Sequence, residues 1–449
     1  MNNDRIEQAD TRAAEIAKKN QTDTASENTV CFSSQKTITV SKPVLTEENG
    51  MVILSAKVSG AVSGTCYYST ELENRDFVDD ISSNCFMIGL LYTAMYAGCD
   101  LIIEGAVSER LLFHVKQKLI PILVDFFEGQ VHPVKIHADQ LLSHGYPEAN
   151  GVGTGFSGGI DSFHTIRDYF VEYDGPTSEK INTLLFFNVG SHGMGSSKDR
   201  LNWIENKFNK RKKALSDYPK QLGLPFVSVN SNVFSFIQTG HLQTSSLASC
   251  SAALFLGRKM RLYYYGSIGF RYHEKIYPGS SVERDYDIAK IDDFVLPQIC
   301  TESFTALSEG SRCSRAQKTM EICSDPLVRK YLNVCNGHET IAKNCSMCYK
   351  CQRTMLALDI LGVLDKFSDV FDLDKFSSRQ RSRYIAVVLN NRKLDPFLQD
   401  VYDLAKSRNY DLKSRTSLGT RLYMHFTETK LYAFLRILLR KDHNKNAKT

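Results

Sequence analysis

After Phe156 the chain alternates between helix-period runs and short apolar ones: "DSFHTIRDYFVEY", "NTLLFFNVG", "DRLNWIENKFNKRKKALSDY", "PFVSVNS", "SLASCSAALFLGRKM" and "RLYYYGSIG". Strands that alternate with helices predict right-handed βαβ units, and therefore an α/β fold whose parallel sheet carries helices on both faces. Sheets of this kind bind ligands beyond the carboxyl ends of their strands. The alternation opens at that edge with "FSGGIDSF", Phe156 to Phe163.

With a strand ending at Thr154 to Phe156 and a helix beginning by Ser162, the backbone N–H groups of Gly158, Gly159, Ile160, Asp161 and Ser162 converge on a helix N-terminus. Those donors lack intrahelical partners and sit at the positive end of the helix dipole, so an anion fits there. Gly158 and Gly159 are expected to take positive φ and let phosphate oxygens approach, while Ser157 and Ser162 add hydroxyl donors. Asp161 is the obvious carboxylate for a magnesium ion on the phosphates of ATP. A P-loop reading fails, because "GFSGGIDS" lacks the lysine of G-x-x-x-x-G-K-[ST]. The dinucleotide fingerprint fails for want of its third glycine.

The 449 residues are too many for one small core, and five segments are expected: a polar arm at 1–35, an α/β N-terminal domain at 36–150, the ATP-binding domain at 151–330, a cysteine segment at 331–361 and a basic helical region at 362–449. Strand patterns in the second are "KTITVS", "MVILSAKVSG" and "TCYYST", separated by "KPVLTEENG" and "GAVSG". Lysine and arginine total 55 against 50 acidic residues, too even to read as a nucleic-acid footprint, so nucleic acid is not indicated as a partner. The first residues are polar, and the most apolar window, Phe86 to Gly98, is too short to span a bilayer. A cytoplasmic protein without a membrane partner is expected, and an oligomer stays open.

Eight of the twelve cysteines are scattered and read as small core residues. The other four, Cys335, Cys345, Cys348 and Cys351, have C-x9-C-x2-C-x2-C spacing, which can close a tetrahedron around zinc. Iron–sulfur is the competitor, although the ferredoxin run ends in a further cysteine before proline that "CQRT" lacks. His338 lies inside the loop and is able to replace one thiolate. A closed four-cysteine site leaves no open position, so the zinc reads as structural.

"SGGIDS" resembles the signature of the PP-loop, or N-type, ATP pyrophosphatases, whose fold is adenine nucleotide alpha hydrolase-like. The resemblance implies that Ser157 to Ser162 hold pyrophosphate and its metal, with Asp161 and Ser162 catalytic, and that Phe187 and Asn188 meet the adenosine. A PP-loop upstream of such a cysteine site is similar to the 7-cyano-7-deazaguanine synthase, or QueC-like, branch. "RAQKTMEI" then implies Arg315 or Lys318 as a substrate or phosphate contact. That resemblance implies an ATP-dependent ligase that adenylates a carboxylate of a deazaguanine-type substrate, for amide or nitrile formation. The long extensions on either side also resemble components of bacterial anti-phage defence operons, which makes a partner protein a possible acceptor. His192, in a glycine-rich loop, is a candidate proton carrier, against the plainer reading of an exposed histidine. Two other functions compete. A tRNA sulfurtransferase would need a reactive thiol, for which only Cys250 qualifies in the middle of the chain, and a non-catalytic nucleotide-binding scaffold would need only the turn.

Overall fold

The computed structural model describes residues 30–276, 286–335 and 343–427. Most of the polar arm, His338 and the apolar run "LYAFLRILLRK" lie outside them. Twelve strands form one sheet. The N-terminal strands are β1 (Cys31–Phe32), β2 (Thr37–Val40), β3 (Val44–Glu48), β4 (Met51–Gly60), β5 (Val62–Glu71), β6 (Asp100–Ser108) and β7 (Ile136–Leu142). After them come β8 (Gly151–Gly155), β9 (Thr183–Asn188), β10 (Phe226–Ser231), β11 (Met260–Gly266) and β12 (Thr305–Glu309). The helices that matter for the site are α1 (Asn84–Ala97), α2 (Ile160–Ile166), α3 (Lys198–Leu215), α4 (Ser245–Phe255), α5 (Arg315–Ile322), α6 (Tyr349–Ile360), α7 (Ser378–Asn391) and α8 (Pro396–Ser407).

Strands β12, β11, β8, β9 and β10 lie side by side in that order and are all parallel. Numbered along the chain from β8, this is the doubly wound order 3-2-1-4-5, which reverses direction between β8 and β11. Alternate residues of these strands feed two cores. Leu184, Phe186, Leu262 and Tyr264 pack on one face, and Leu185, Phe187, Met260 and Tyr263 on the other. Burial on both faces is why such strands read as continuous apolar runs.

The boundary expected at residue 150 does not divide the sheet. β5 pairs antiparallel with β10, and β4, β2, β6 and β7 extend the sheet beyond it. One core contains Tyr68 and Phe86 from the N-terminal part together with Val229 and Phe255 from the later part. α1 is buried along nearly its whole length because it lies between this sheet face and α4, which accounts for an apolar window that is not amphipathic. Likewise, the cysteine segment and the C-terminal helices do not stand apart, since Met355, Ile385, Val388, Leu398 and Leu404 share the second core with Val152 and Phe156. The basic residues of that region are partly committed within it: Arg381 pairs with Asp359, and Arg392 and Arg415 stack on Tyr402 and Tyr410.

Besides the two-residue β1, which falls in the expected polar arm, two strands were hidden in the sequence. β3 falls within "KPVLTEENG", read as a turn, because an almost fully exposed edge strand has no buried face to impose an alternation. β12, "TALSE", buries only Ala306 and Ser308, small residues that give no apolar run.

Candidate functional site

The carboxyl ends of the five parallel strands all open on one edge, and each delivers a loop there. β8 ends at Gly155, and α2 starts at Ile160 with Gly159 as its N-cap. Gly158 has φ +75° and lies so close to Leu215 of α3 that a Cβ would come within 2.9 Å of it, so this position takes only glycine. Gly159 is extended, at φ −86°, so the positive φ expected of both glycines belongs to Gly158 alone. Ile160 anchors the turn in the core. The hydroxyl of Ser162 donates to Gly159 O at 3.0 Å, which spends it on the turn itself and corrects the expectation of a free donor. Arg211 of α3 donates to Ser157 O at 3.1 Å and braces the turn from outside. Six of the seven residues of α2 are buried, because α5 covers its outer side.

Asp161 faces α5. One carboxylate oxygen pairs with Arg315 and the other accepts from Lys318 Nζ at 3.1 Å. Burial alone would raise the Asp161 pKa, but Arg315 and then Lys318 outweigh it and hold the carboxyl at about 2. Lys318 is fully buried and also donates to Ser267 O at 2.7 Å. Its ammonium fits because residue 310 is glycine, where a Cβ would lie 2.7 Å from Nζ. Arg315 stacks on Phe397 of α8 at 5.3 Å, and Arg353 of α6 stacks on the same ring at 4.5 Å. Asp400 of α8 accepts from Ala316 N at 2.6 Å and from the Ser314 hydroxyl, which fixes the start of α5. The C-terminal helices therefore hold this basic wall in place.

Lys350 adds a further cation. Burial, Arg315 and Arg353 push its pKa down to about 8, partly offset by Asp161 and Cys348. Among the described residues, the buried nitrogens Arg315 Nε and Arg353 Nε have no hydrogen-bond partner. Cations thus outnumber carboxylates beside the turn, as a site for a polyanion requires. Sequence reasoning missed Lys350, Arg353 and Arg211. The signal available was "CYKCQR", basic residues interleaved with the ligand-type cysteines.

The four cysteines do come together, with all four sulfurs within 4.8 Å of one another. Cys335 and Cys348 are 3.9 Å apart, Cys345 and Cys351 3.9 Å, and Cys348 and Cys351 3.4 Å. Four sulfurs about 2.3 Å from one zinc ion form a tetrahedron with edges of about 3.8 Å, so these spacings fit a single metal ion. Backbone N–H groups of Cys345 and Cys348 donate to the sulfurs of Cys335 and Cys345, at 3.4 and 3.2 Å. Asn344 staples the segment by accepting from Val334 N at 2.8 Å and donating to Leu332 O at 2.8 Å and Val370 O at 3.0 Å. Just before Cys335, Asn333 N donates to Gly158 O at 2.7 Å. The glycine turn and the segment that carries the cysteines, far apart in sequence, are therefore in contact at Asn333.

The remaining candidates are placed differently from expectation. Phe187 points into the first core, 5.9 Å from Tyr263, while Asn188 donates to Asn230 at 2.7 Å and keeps a buried, unpartnered Oδ1 at the strand end. His192 is not an exposed loop histidine. Its ring is wedged edge-on against Phe186 and Phe208, at 5.3 and 5.4 Å. Burial first, then Arg211, Lys207 and His241, keep its pKa well below the ordinary value, so the ring is neutral and its Nε2 is unpartnered. Cys250 is completely buried in the first core, and burial pushes its thiol pKa well up, which leaves it no thiolate for sulfur transfer. Among the described residues no helix is long and apolar enough to cross a membrane. Comparison with protein-family models, curated proteins and solved structures found no match.

Proposed function

We propose that this protein is an ATP-dependent ligase of the PP-loop, QueC-like kind, which cleaves ATP to AMP and pyrophosphate and adenylates a carboxylate of a deazaguanine-type molecule. The observation that carries this reading is the contact of the glycine turn, at the reversal point of a 3-2-1-4-5 parallel sheet, with a four-cysteine segment that delivers Lys350 and Arg353 to it. In such sheets ligands bind at this point.

The N-terminus of α2 and the amides of the turn would receive the terminal phosphates, with Arg315, Lys318 and Lys350 opposing the charge that builds on them. A substrate carboxylate oxygen attacks the α-phosphorus, and the bond to the bridging oxygen breaks as pyrophosphate leaves. Ammonia or an amine then attacks the acyl carbon and expels AMP, giving an amide; where ammonia is the nucleophile, a second ATP adenylates the oxygen of the primary amide with release of pyrophosphate, and loss of AMP and the two N–H protons leaves the nitrile. Neutral His192 offers Nε2 as an acceptor at the same edge. Both oxygens of Asp161 are engaged by cations, so the residues present do not fit a magnesium ion held by the protein. Asp161 instead fixes Arg315 and Lys318. The four thiols fit zinc, which would close the segment as a structural ion.

Full-length protein incubated with ATP, magnesium and carboxylated deazaguanines should release AMP and pyrophosphate in equal amounts. Asp161→Asn, which keeps the shape of the turn but misaligns two cations, should lower that turnover at least about 100-fold. Release of ADP, or nucleotide binding without turnover across all acceptors, would overturn the ligase reading.

A further inference from the structure

The sheet ends on β7, and no strand among the described residues pairs with its outer side. Natural proteins cover, shorten or bend such edges, because their unpaired N–H and C=O groups are a template for another strand. β7 has seven residues, and only Ile136 among them is fully buried. Lys135, just before it, shows which groups face outward. Its carbonyl accepts from Leu101 N at 2.9 Å and its N–H donates to the Asp100 carboxylate at 2.9 Å, so both point towards β6. Successive residues of a strand alternate in this direction, and the N–H and C=O of Ile136 and Ala138 therefore face away from the sheet.

A groove of about 460 Å³ runs beside this edge, between the start of β7 and the helical run Glu109–His114, Val115–Leu119 and Ile120–Phe127. Its walls are Ile120, Pro121 and Val124 on the helical side and Val134 and Ile136 on the strand side. Pro121 has no N–H to offer the carbonyl of Gln117, and the turn before it, Val115–Leu119, winds as a π-helix. Such turns recur at functional sites. This one brings Lys116 to the groove across from Lys135. Both lysines are exposed, neither pairs with a carboxylate among the described residues, and no acidic side chain lines the groove.

The occupant follows from these groups. An edge with outward donors and acceptors takes an extended chain, the apolar walls take its aliphatic side chains, and the two lysines take carboxylates. Alternation along one strand supplies both kinds of side chain. A second copy of this protein is the wrong partner: its β7 would carry another Lys135 and His137 into a groove that already holds them, and like charges across a strand pair destabilise it. We propose that β7 and this groove bind an extended acidic segment of a partner protein, which joins the sheet as a further strand. Six strands, β9, β10, β5, β4, β2 and β6, separate the groove from β8, so the proposal does not rest on the reading of the glycine turn.

The test is calorimetry on the full chain with blocked peptides that alternate glutamate with valine, glutamate with serine, and lysine with valine. The first should bind at least about tenfold more tightly than either of the others, and Lys116→Glu combined with Lys135→Glu should remove about tenfold of its affinity. Ala138→Pro deletes an outward N–H and no bond to β6, and should weaken binding as well. On binding, hydrogen exchange should slow at the Ile136 and Ala138 amides of the parent, a response that charge attraction alone does not produce; this readout decides the matter if Ala138→Pro fails to fold. ATP turnover should be the same in these variants as in the parent. Equal affinity for the three peptides, lysine reversals without effect, or unchanged exchange would overturn the assignment. So would a dimer of the parent that Ala138→Pro dissociates, because the edge would then belong to a second copy.

Discussion

Cys335, Cys345, Cys348 and Cys351 in one region, and His164, Cys313 and Glu321 in another, each bring atoms able to ligate a metal within 4.8 Å of one another. Their surroundings differ. Four thiolates around a divalent ion leave a negative complex, and Lys207, Arg211 and Lys350 lie close enough to interact with Cys335 or Cys348. In the second cluster the cations are already in place. Arg312 and Arg167 donate to Glu321 at 3.0 and 3.1 Å, and Arg312 reaches Asp168 at 2.8 Å. A divalent ion about 5 Å from a guanidinium meets a repulsion on the order of 5 kcal/mol at an effective dielectric constant of about 20. Proximity of ligand atoms is therefore a weaker criterion for a metal site than the charge around them.

The largest effect expected from this contrast is at Cys348. Structural zinc contributes roughly 10–16 kcal/mol of apparent binding free energy, comparable with the whole stability of a domain at about 5–15 kcal/mol. Cys348→Ser should give insoluble, metal-poor protein, because the segment also holds the turn through Asn333 and the second core through Met355. Metal analysis of the soluble fraction checks it, and a soluble, active variant with no bound zinc would contradict a structural role.

Cys313→Ala should do much less. Its thiol is small and buried, burial and Glu321 push its pKa up to about 11, and Arg312 and His164 satisfy Glu321 without it. A loss of about 1–2 kcal/mol is expected for this truncation, with the zinc content unchanged at one ion per chain. Two ions in the parent and one in the variant would show that the charge argument misjudges the second cluster.

The same charge logic separates what could be read from the sequence from what could not. The turn and the four cysteines were legible because each is a local pattern whose spacing fixes its geometry: strand, glycine pair and helix in one case, C-x2-C steps in the other. Their contact was not legible, since it joins Asn333 to Gly158 across the fold and no periodicity encodes that. Asp161 was identified, but its partners changed the reading, because Arg315 and Lys318 come from a helix that follows a strand the pattern hid. Arg353 and Lys350 carry no motif at all. What marks them is burial without a partner and an excess of like charge, properties that exist only once the chain has folded.

The smallest expected effect concerns Asp161 and acid. Its carboxyl titrates at about 2 in the fold against an ordinary 3.8, so the folded state favours the ionised form. A depressed carboxylate contributes stability that is complete above the unfolded pKa and is lost as pH falls through the folded one. The shift corresponds to about 2 kcal/mol, lost between roughly pH 4 and pH 2, of which only about 1 kcal/mol falls between pH 5 and pH 3. The contribution comes from the contacts that Arg315 and Lys318 make with the two carboxylate oxygens. Urea unfolding of the parent and of Asp161→Asn at pH 5 and at pH 3 should therefore give a stability difference that shrinks on acidification, because Asn has no proton to gain. At Glu321 burial would likewise raise the pKa, but bonds from Arg312, His164 and Cys313 outweigh it and hold it at about 2, so its own acid loss is common to both proteins and cancels in the comparison. A difference that stays constant from pH 5 to pH 3 would mean that Arg315 and Lys318 do not hold the Asp161 charge in solution as they do in the fold described.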